Sequence, residues 1–171
     1  MNLIFDATLS GEAVLAKVVL RSYGREVHAL LAARDMAPQL YGTSDIQGLA
    51  TVVIMELLQD GWMTLFDYRN NKHGGIILRD SQGPLLEQLE EILACLEAGG
   101  MAHGDFRMAN IMVKPDKEEK AMLIDFDWAG VAERVRYPVS RSDGFGYPGA
   151  PGGLIGAGHD RQFYQKWKDQ I

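Results

Sequence analysis

Three polar residues stand in otherwise apolar sequence near the middle of the chain. Asp105 and Asn110 belong to the segment "MAHGDFRMANIMV" (101–113), and Asp125 ends the apolar run of "MLIDFDWAG" (122–130). Burying a carboxylate is costly unless it is paired or coordinates a metal. Their position next to sequence typical of a core therefore indicates an ion-pair network or a metal site.

The sequence around these residues predicts a β-hairpin. Two short apolar runs, 111–113 and 121–126, are joined by the polar segment "KPDKEEK" (114–120). Because a hairpin brings its two ends together, we expect Asn110 and Asp125 to be neighbours. Amide and carboxylate oxygens are hard ligands, suited to Mg²⁺ that is held together with substrate phosphates.

Asp105, one loop away, is in a position to orient or deprotonate an attacking hydroxyl. Phosphoryl transfer requires positioning and charge neutralisation more than covalent chemistry. The sequence "HGDFRMANIMV" followed by "LIDFDWAG" resembles the catalytic loop and metal-binding segment of the protein-kinase-like superfamily. Its His-Gly-Asp form is most similar to the aminoglycoside and choline kinase branch and to fungal kinase-like proteins with HGDxRxxNIxV and DFDWAG motifs.

The resemblance implies roles for residues elsewhere in the chain. Lys17, in the apolar run "VLAKVVL", would grip the α- and β-phosphates of ATP, and Glu26 on the following helix would hold Lys17. The backbone between Glu56 and Leu58 would bind the adenine. Arg107 lies two positions after the catalytic aspartate, where many protein kinases carry a phosphate-contacting lysine.

Some of these residues also have simpler interpretations. Lys17 taken alone is also typical of an edge strand that is protected against aggregation, although the downstream motifs favour the phosphate-binding role, and Glu26 is also typical of a solvated helix face. His103 is expected to pack beneath the loop as a structural residue. Asp160, at the start of the last predicted helix, is a candidate for the buried aspartate that supports the catalytic loop from below.

The elements that must position these residues follow from periodicity and turn signals. The sequence predicts strands over 3–9, 14–20, 50–58, 111–113 and 121–126. It predicts helices over 22–35, 61–68, 83–100 and 159–171. Ser22 is the predicted N-cap of the first helix and Pro84 is placed in the first turn of the third. The segment 130–158 is rich in Gly and Pro and predicts an extended loop.

This order, with strands first and helices dominating later, is typical of an α+β fold. The resemblance implies a protein-kinase-like two-lobed fold, with a β-rich N-terminal lobe over 1–58 and an abbreviated helical lobe over 59–171 within one domain, 1–171. The sequence that resembles these kinases does not include the Gly-rich loop, which covers the nucleotide phosphates. We therefore expect a kinase-like domain that is shortened at both ends.

Composition excludes several other classes of protein. The net charge of −6 argues against nucleic-acid binding, which requires clustered basic residues. No segment reaches the roughly 18 apolar residues needed to span a bilayer, and the first residues lack the basic and apolar regions of a signal peptide. Cys95, the only cysteine, is expected to be a small buried hydrophobe. These features predict a soluble, cytoplasmic protein and do not indicate an oligomeric state.

The resulting hypothesis is an ATP- and Mg²⁺-dependent phosphotransferase that acts on the hydroxyl of a small molecule or a protein. The alternative is a pseudokinase-like binding module with weak or no activity. The complete set of Asp105, Asn110 and Asp125 favours the enzyme. The absence of the Gly-rich loop favours the alternative.

Overall fold

The computed structural model describes residues 3–20, 22–70, 74–114 and 120–171. Within these ranges, side chains are described everywhere except in 74–82 and at position 143. Most of the predicted turn over 114–120 therefore lies outside the described residues.

A four-stranded antiparallel sheet forms the N-terminal region. Its strands are β1 (Leu3–Leu9), β2 (Glu12–Val19), β3 (Leu40–Ile46) and β4 (Ala50–Glu56), in the order β1-β2-β4-β3. The predicted strands over 3–9, 14–20 and 50–58 are confirmed, although the last ends at Glu56. The sequence did not predict β3, because "LYGTSDI" lacks an apolar alternation. Lys17 lies on the second strand, paired with Ile4 on one side and Val53 on the other.

Helix α1 (Arg25–Ala32) begins later than predicted, and its N-cap is Gly24 rather than Ser22. The Gly24 N–H donates a hydrogen bond of 2.8 Å to the carbonyl of Phe126. A Cβ atom at Gly24 would lie 2.5 Å from Cβ of Ala129. A glycine is therefore required where the helix meets the segment that follows Asp125.

Two further helices differ from the prediction at their N-terminal ends. Residues Met63–Thr64 form a short strand, β5, and only then does α2 (Leu65–Asn70) begin. Helix α3 (Gly74–Ala98) starts well before the predicted position, so Pro84 lies inside it. The predicted apolar stripe of α3 is confirmed as buried, and comprises Leu85, Leu89, Ile92, Leu93 and Leu96.

Two small sheets hold the segments that carry the candidate site. Strands β7 (Ile111–Lys114) and β8 (Lys120–Leu123) pair antiparallel with Ile111 opposite Leu123, which confirms the predicted pairing. Strands β6 (Met101–Ala102) and β9 (Gly130–Val131) pair in the same way. The segments 103–110 and 124–129 are therefore bracketed by the same two sheets and run side by side.

The segment from 130 to 158 is not a simple extended loop, because it packs against the site. Tyr137 and Ile155 are buried and form a small core with Ala102. Helix α4 (His159–Gln165) follows, and residues 168–170 form a 3₁₀ turn. The chain thus has the predicted α+β architecture, with a β-sheet region followed by mainly helical structure. Within the described ranges, no helix combines the length and apolar character that crossing a membrane requires.

Candidate active site

Asp160 anchors the loop that carries Asp105. Its Oδ2 accepts a hydrogen bond of 2.6 Å from the His103 N–H, and its Oδ1 accepts one of 2.8 Å from the Gly104 N–H. Burial raises the pKa of Asp160, whereas the two backbone donors act to lower it. The predicted support of the loop by Asp160 is confirmed.

The His-Gly pair before Asp105 is fixed by backbone geometry. Gly104 has a φ of +83°, and a Cβ atom there would lie 2.6 Å from Cδ1 of Ile155. The buried His103 has Nε2 3.0 Å from the Ile124 carbonyl, while its Nδ1 accepts the Asp105 N–H at 3.2 Å. Since a carbonyl can only accept, Nε2 carries the proton. His103 thus ties the loop to the strand end before Asp125, in the structural role that was predicted.

Hydrogen bonds fix both carboxylate oxygens of Asp105, which is only 5% exposed. Its Oδ2 accepts from Asn110 Nδ2 at 2.7 Å and from Arg107 Nε at 3.1 Å. Its Oδ1 accepts from the Tyr147 hydroxyl at 2.6 Å. The carboxylate is therefore rigidly oriented, and Arg107 supplies a compensating charge.

Lys17 reaches across from the N-terminal sheet to the segment after β8. Its Nζ lies 2.5 Å from Oδ1 of Asp125 and 2.6 Å from Oδ1 of Asp127. Lys17 is 6% exposed, which excludes its interpretation as a solvated edge-strand lysine. Burial acts to raise the pKa of Asp125, but the charge and hydrogen bond of Lys17 outweigh it and the pKa is lowered. Asp125 is therefore an anion at neutral pH.

The chemistry of Asn110 and Asp125 fits a magnesium ion. The Asn110 amide nitrogen donates to the carbonyl and to Oδ2 of Asp105, which leaves its side-chain oxygen as the potential ligand. Asp125 adopts a φ of +68°, a strained conformation of the kind found at functional sites. No group of three or more His, Cys, Asp or Glu residues suited to a metal occurs in the part of the chain that the structure describes. Two protein oxygens are nevertheless enough for Mg²⁺ when substrate phosphates complete the coordination.

A cavity of about 260 Å³ brings five of the predicted residues together. It extends from the end of β4 to the segment after β8, and Leu15, Met112 and Ile124 are among its apolar walls. The predicted residues that line it are Lys17, Glu56, Leu58, Asn110 and Asp125.

A second cavity, of about 450 Å³, shares the lining residue Asp125 with the first. Asp105 and Arg107 line it together with Asp127 and Arg141, and Asp125 lines both cavities. The predicted catalytic and metal-binding residues therefore line two cavities that share Asp125, and we refer to the pair of cavities as the cleft.

Glu26 is the predicted site residue that the structure does not bring into the cleft. It is exposed on α1, and among the described residues the ion pairs of Lys17 are with Asp125 and Asp127. The reason is the orientation of the helix. Its buried face carries Val27, His28, Leu31 and Ala32, so Glu26 points away. The predicted Lys17–Glu26 pair is thus corrected to a pairing of Lys17 with two aspartates.

Sequence reasoning missed several residues of the cleft. Asp127 is part of the quoted segment "LIDFDWAG", but its pairing with Lys17 could not be inferred from spacing. Arg141 and Tyr147 belong to the Gly- and Pro-rich segment over 130–158, where no local pattern predicts which side chains face the cleft. Arg141 stacks over the ring of Tyr147 with its guanidinium carbon 4.6 Å from the ring centre.

The fold and the cleft define a protein-kinase-like protein. Residues 27–138 match the profile of the Lipopolysaccharide kinase (Kdo/WaaP) family, and the chain belongs to this family. The solved structure of the kinase PK-1 from Cydia pomonella granulovirus matches 99% of the chain with a TM-score of 0.74 and 17% sequence identity. The chain spans 66% of the length of that viral kinase. No curated protein sequence matches the chain. The predicted superfamily and two-lobed kinase-like fold are confirmed.

Proposed function

We propose that the protein transfers the γ-phosphoryl group of Mg²⁺-ATP to a hydroxyl acceptor. The observation that carries this proposal is the position of Asp125, which lines both the 260 Å³ cavity beside the end of β4 and the 450 Å³ cavity beside Asp105. A nucleotide in the first cavity would place its terminal phosphate between the metal-binding and the catalytic residues. Membership of a kinase family supports the same chemistry.

The first cavity has the features of a nucleotide site. Its walls are mainly apolar, as an adenine ring requires, and the backbone after β4 at Glu56–Leu58 can offer hydrogen bonds to the base. Lys17 lies at the opposite end, where it can contact phosphate oxygens after releasing one of its two carboxylates. Asn110 and Asp125 would hold Mg²⁺, which neutralises the charge of the phosphates and orients them.

The second cavity has the features of an acceptor site. Asp105 would accept the proton of the attacking hydroxyl, and its hydrogen bonds with Asn110 and Arg107 keep it oriented toward the cleft. Arg107 and Arg141 add positive charge next to the path of the transferred group. The acceptor would be a hydroxyl of a small molecule or a protein, rather than of a nucleic acid, given the net charge of −6.

The proposal also includes the division of the chain into lobes and its compartment. Residues 1–58 and 59–171 would form the two lobes of a single domain that closes on the nucleotide. The cytoplasm is the compartment that we propose, because ATP and Mg²⁺ are abundant there.

One observation favours a second candidate, a nucleotide-binding module without transferase activity. Lys17 is engaged by two carboxylates, and the Tyr147 hydroxyl is bound to Asp105. Nucleotide binding requires Lys17 to release a carboxylate, and transfer to a separate acceptor requires the Tyr147 hydroxyl to leave Asp105. A protein in which these contacts persist would bind nucleotide weakly and transfer nothing to a separate acceptor.

A thermal-shift titration with Mg²⁺-ATP tests the proposal. Ligand at a hundred times its Kd adds about 2.7 kcal/mol to the free energy of unfolding. For a chain of this size that raises Tm by roughly 5–10 °C. We expect this increase to depend on Mg²⁺, to be lost in Asp125→Asn and to be retained in Asp6→Asn. Asp6 is a suitable control because it is exposed on β1 and lines neither cavity.

Transfer is then measured with radiolabelled ATP and a panel of hydroxyl acceptors. Turnover that is lost in Asp105→Asn, while the Mg²⁺-ATP shift remains, would establish the enzyme. A Mg²⁺-dependent shift without any transfer supports the second candidate. An unchanged Tm in folded wild-type protein excludes both.

A further inference from the structure

The hydroxyl of Tyr147 lies where a phosphoryl acceptor is expected. It donates a hydrogen bond of 2.6 Å to Oδ1 of Asp105. The other oxygen of this carboxylate is already bound by Asn110 and Arg107. Oδ1 is therefore the oxygen of Asp105 that would accept the proton of an attacking hydroxyl. The hydroxyl of Tyr147, from the chain itself, is bound to this oxygen.

A second tyrosine in the same aromatic cluster shows that this contact is specific. Tyr137 packs beside Tyr147 with ring centres 5.7 Å apart. Its hydroxyl lies 3.2 Å from Nδ1 of His159 instead of at Asp105. The two phenols thus share an environment but differ in whether they reach the candidate base.

The ring of Tyr147 is held from several sides. It packs on Phe163 with a centroid distance of 4.7 Å and on Trp128 with one of 5.6 Å. The Arg141 guanidinium lies over it at 4.6 Å. An aromatic acceptor positioned in this way loses little conformational entropy in reaching a reactive geometry.

Space for the phosphoryl donor exists beside the carboxylate that binds the phenol. The cavity of about 450 Å³ is lined by Asp105, Asp125 and Asp127. Because Asp125 also lines the candidate nucleotide cavity, a terminal phosphate held near Asp125 would face the residue to which Tyr147 is bound.

We propose that Tyr147 is a phosphorylation site of the chain and that its own active site modifies it in cis. This inference rests on the proposed function. The Tyr147 oxygen forms a bond to the γ-phosphorus of ATP, the bond from that phosphorus to the β–γ bridging oxygen breaks, and ADP leaves with the electron pair. The phenolic proton passes to Asp105.

The product has an electrostatic consequence for the site. A phosphotyrosine carries about −1.5 to −2 charges at neutral pH, so it is repelled by the carboxylate of Asp105. Arg141 already stacks on the Tyr147 ring, and Arg107 lines the same cavity. Both guanidinium groups can pair with the new phosphate. Modification would therefore move the side chain toward the arginines and release Asp105 for another acceptor.

Mass spectrometry of the purified chain after incubation with Mg²⁺-ATP tests this inference. Intact mass gives the number of phosphoryl groups, and peptide mapping gives their position. The variants are Tyr147→Phe, its matched control Tyr137→Phe, and Asp125→Asn as the site knock-out. The Mg²⁺-ATP thermal shift is measured for each variant, and the first-order rate constant is measured over a wide range of protein concentrations.

We expect one phosphoryl group on Tyr147 in the wild type and in Tyr137→Phe, and its loss in Tyr147→Phe and Asp125→Asn. The rate constant should not depend on protein concentration. A normal thermal shift without phosphate on Tyr147 overturns the inference and leaves the proposed function intact. A rate constant that rises with protein concentration overturns modification in cis. Absence of the thermal shift in the wild type overturns the proposed function, and this inference with it. If Tyr147→Phe does not fold, the mapped position in the wild type and in Tyr137→Phe still decides.

Discussion

Lys17 and Asp125, 108 positions apart in the sequence, are joined by an ion pair of 2.5 Å. The pair links the N-terminal sheet to the segment that follows β8. A protein kinase-like cleft needs a cation for the phosphates and an anion for the metal at its centre. In this chain the two groups neutralise each other directly, with Asp127 as a second carboxylate partner.

Replacing Lys17 is expected to destabilise the protein. Lys17→Met leaves Asp125 and Asp127 side by side without a cation. Breaking a fully buried pair costs about 3–5 kcal/mol. Since the Asp125 side chain is 37% exposed, we expect a smaller loss here, on the order of 2 kcal/mol. Urea denaturation at neutral pH measures the change.

The double variant Lys17→Met/Asp127→Asn provides the control. It removes one of the two facing carboxylates, so it should recover part of the lost stability. Equal losses in the single and the double variant would show that repulsion between the carboxylates is not the cause, and that the loss comes from the missing ion pair between Lys17 and Asp125.

His28 predicts a dependence of stability on pH. Its ring stacks on Phe126 with centroids 4.4 Å apart, and Nε2 lies 2.8 Å from the Pro38 carbonyl. Burial lowers the pKa of His28 from 6.5 to about 4, the Pro38 carbonyl acts to raise it, and Lys17 lowers it further. The folded protein therefore keeps His28 neutral over a range in which the unfolded chain binds a proton.

The sign of the effect follows from proton linkage. Between pH 6.5 and about 4 the unfolded state binds more protons, so the free energy of unfolding falls as the pH is lowered. The contribution is complete above pH 6.5, and its loss is on the order of 3 kcal/mol at the lower end. Asp125 acts in the same direction, but only at still lower pH, because its pKa is lowered from an already acidic value.

Urea denaturation at several pH values, with His28→Gln as the control, distinguishes the contribution of His28 from that of Asp125. Gln cannot titrate, so the slope between pH 6.5 and 4 should become shallower in the variant. The same slope in both proteins would mean that other groups cause the acid sensitivity.

Local sequence patterns were sufficient for the β7–β8 pair and for the polar residues Asn110 and Asp125, but not for β6 and β9. The pairing of β7 with β8 follows from two apolar runs around a polar segment, and it brings Asn110 and Asp125 to one cavity. The apolar stripe of α3 likewise follows from spacing within one short segment. These features are predictable because their periodicity depends on near neighbours in the sequence.

Other features depend on packing between distant segments, which spacing alone does not determine. Glu26 was assigned to the cleft because the family resemblance implied it, whereas contact with Phe126 buries His28 and leaves Glu26 exposed. Tyr147 reaches Asp105 because its ring packs on Phe163 of α4. Neither contact has a signal in the local sequence.

A substitution at Gly104 tests why the loop requires glycine between His103 and Asp105. Gly104→Ala introduces a side chain at a φ of +83° and places its Cβ 2.6 Å from Cδ1 of Ile155. The backbone conformation alone costs on the order of 1–3 kcal/mol, and the contact adds to it. Ile155→Val removes the Cδ1 atom. The small cavity that results should lower the free energy of unfolding by about 0.5–1.5 kcal/mol.

A double-mutant cycle by urea denaturation distinguishes the two causes. If the contact with Cδ1 matters, Gly104→Ala should cost less in the Ile155→Val background than in the wild type. The remaining loss then measures the backbone strain. Strictly additive losses would mean that Ile155 moves aside freely, and that the positive φ alone requires glycine before Asp105. Where the Cδ1 contact matters, the Asp105 loop should shift, and under the proposed function this shift would lower the transfer rate at unchanged Mg²⁺-ATP affinity.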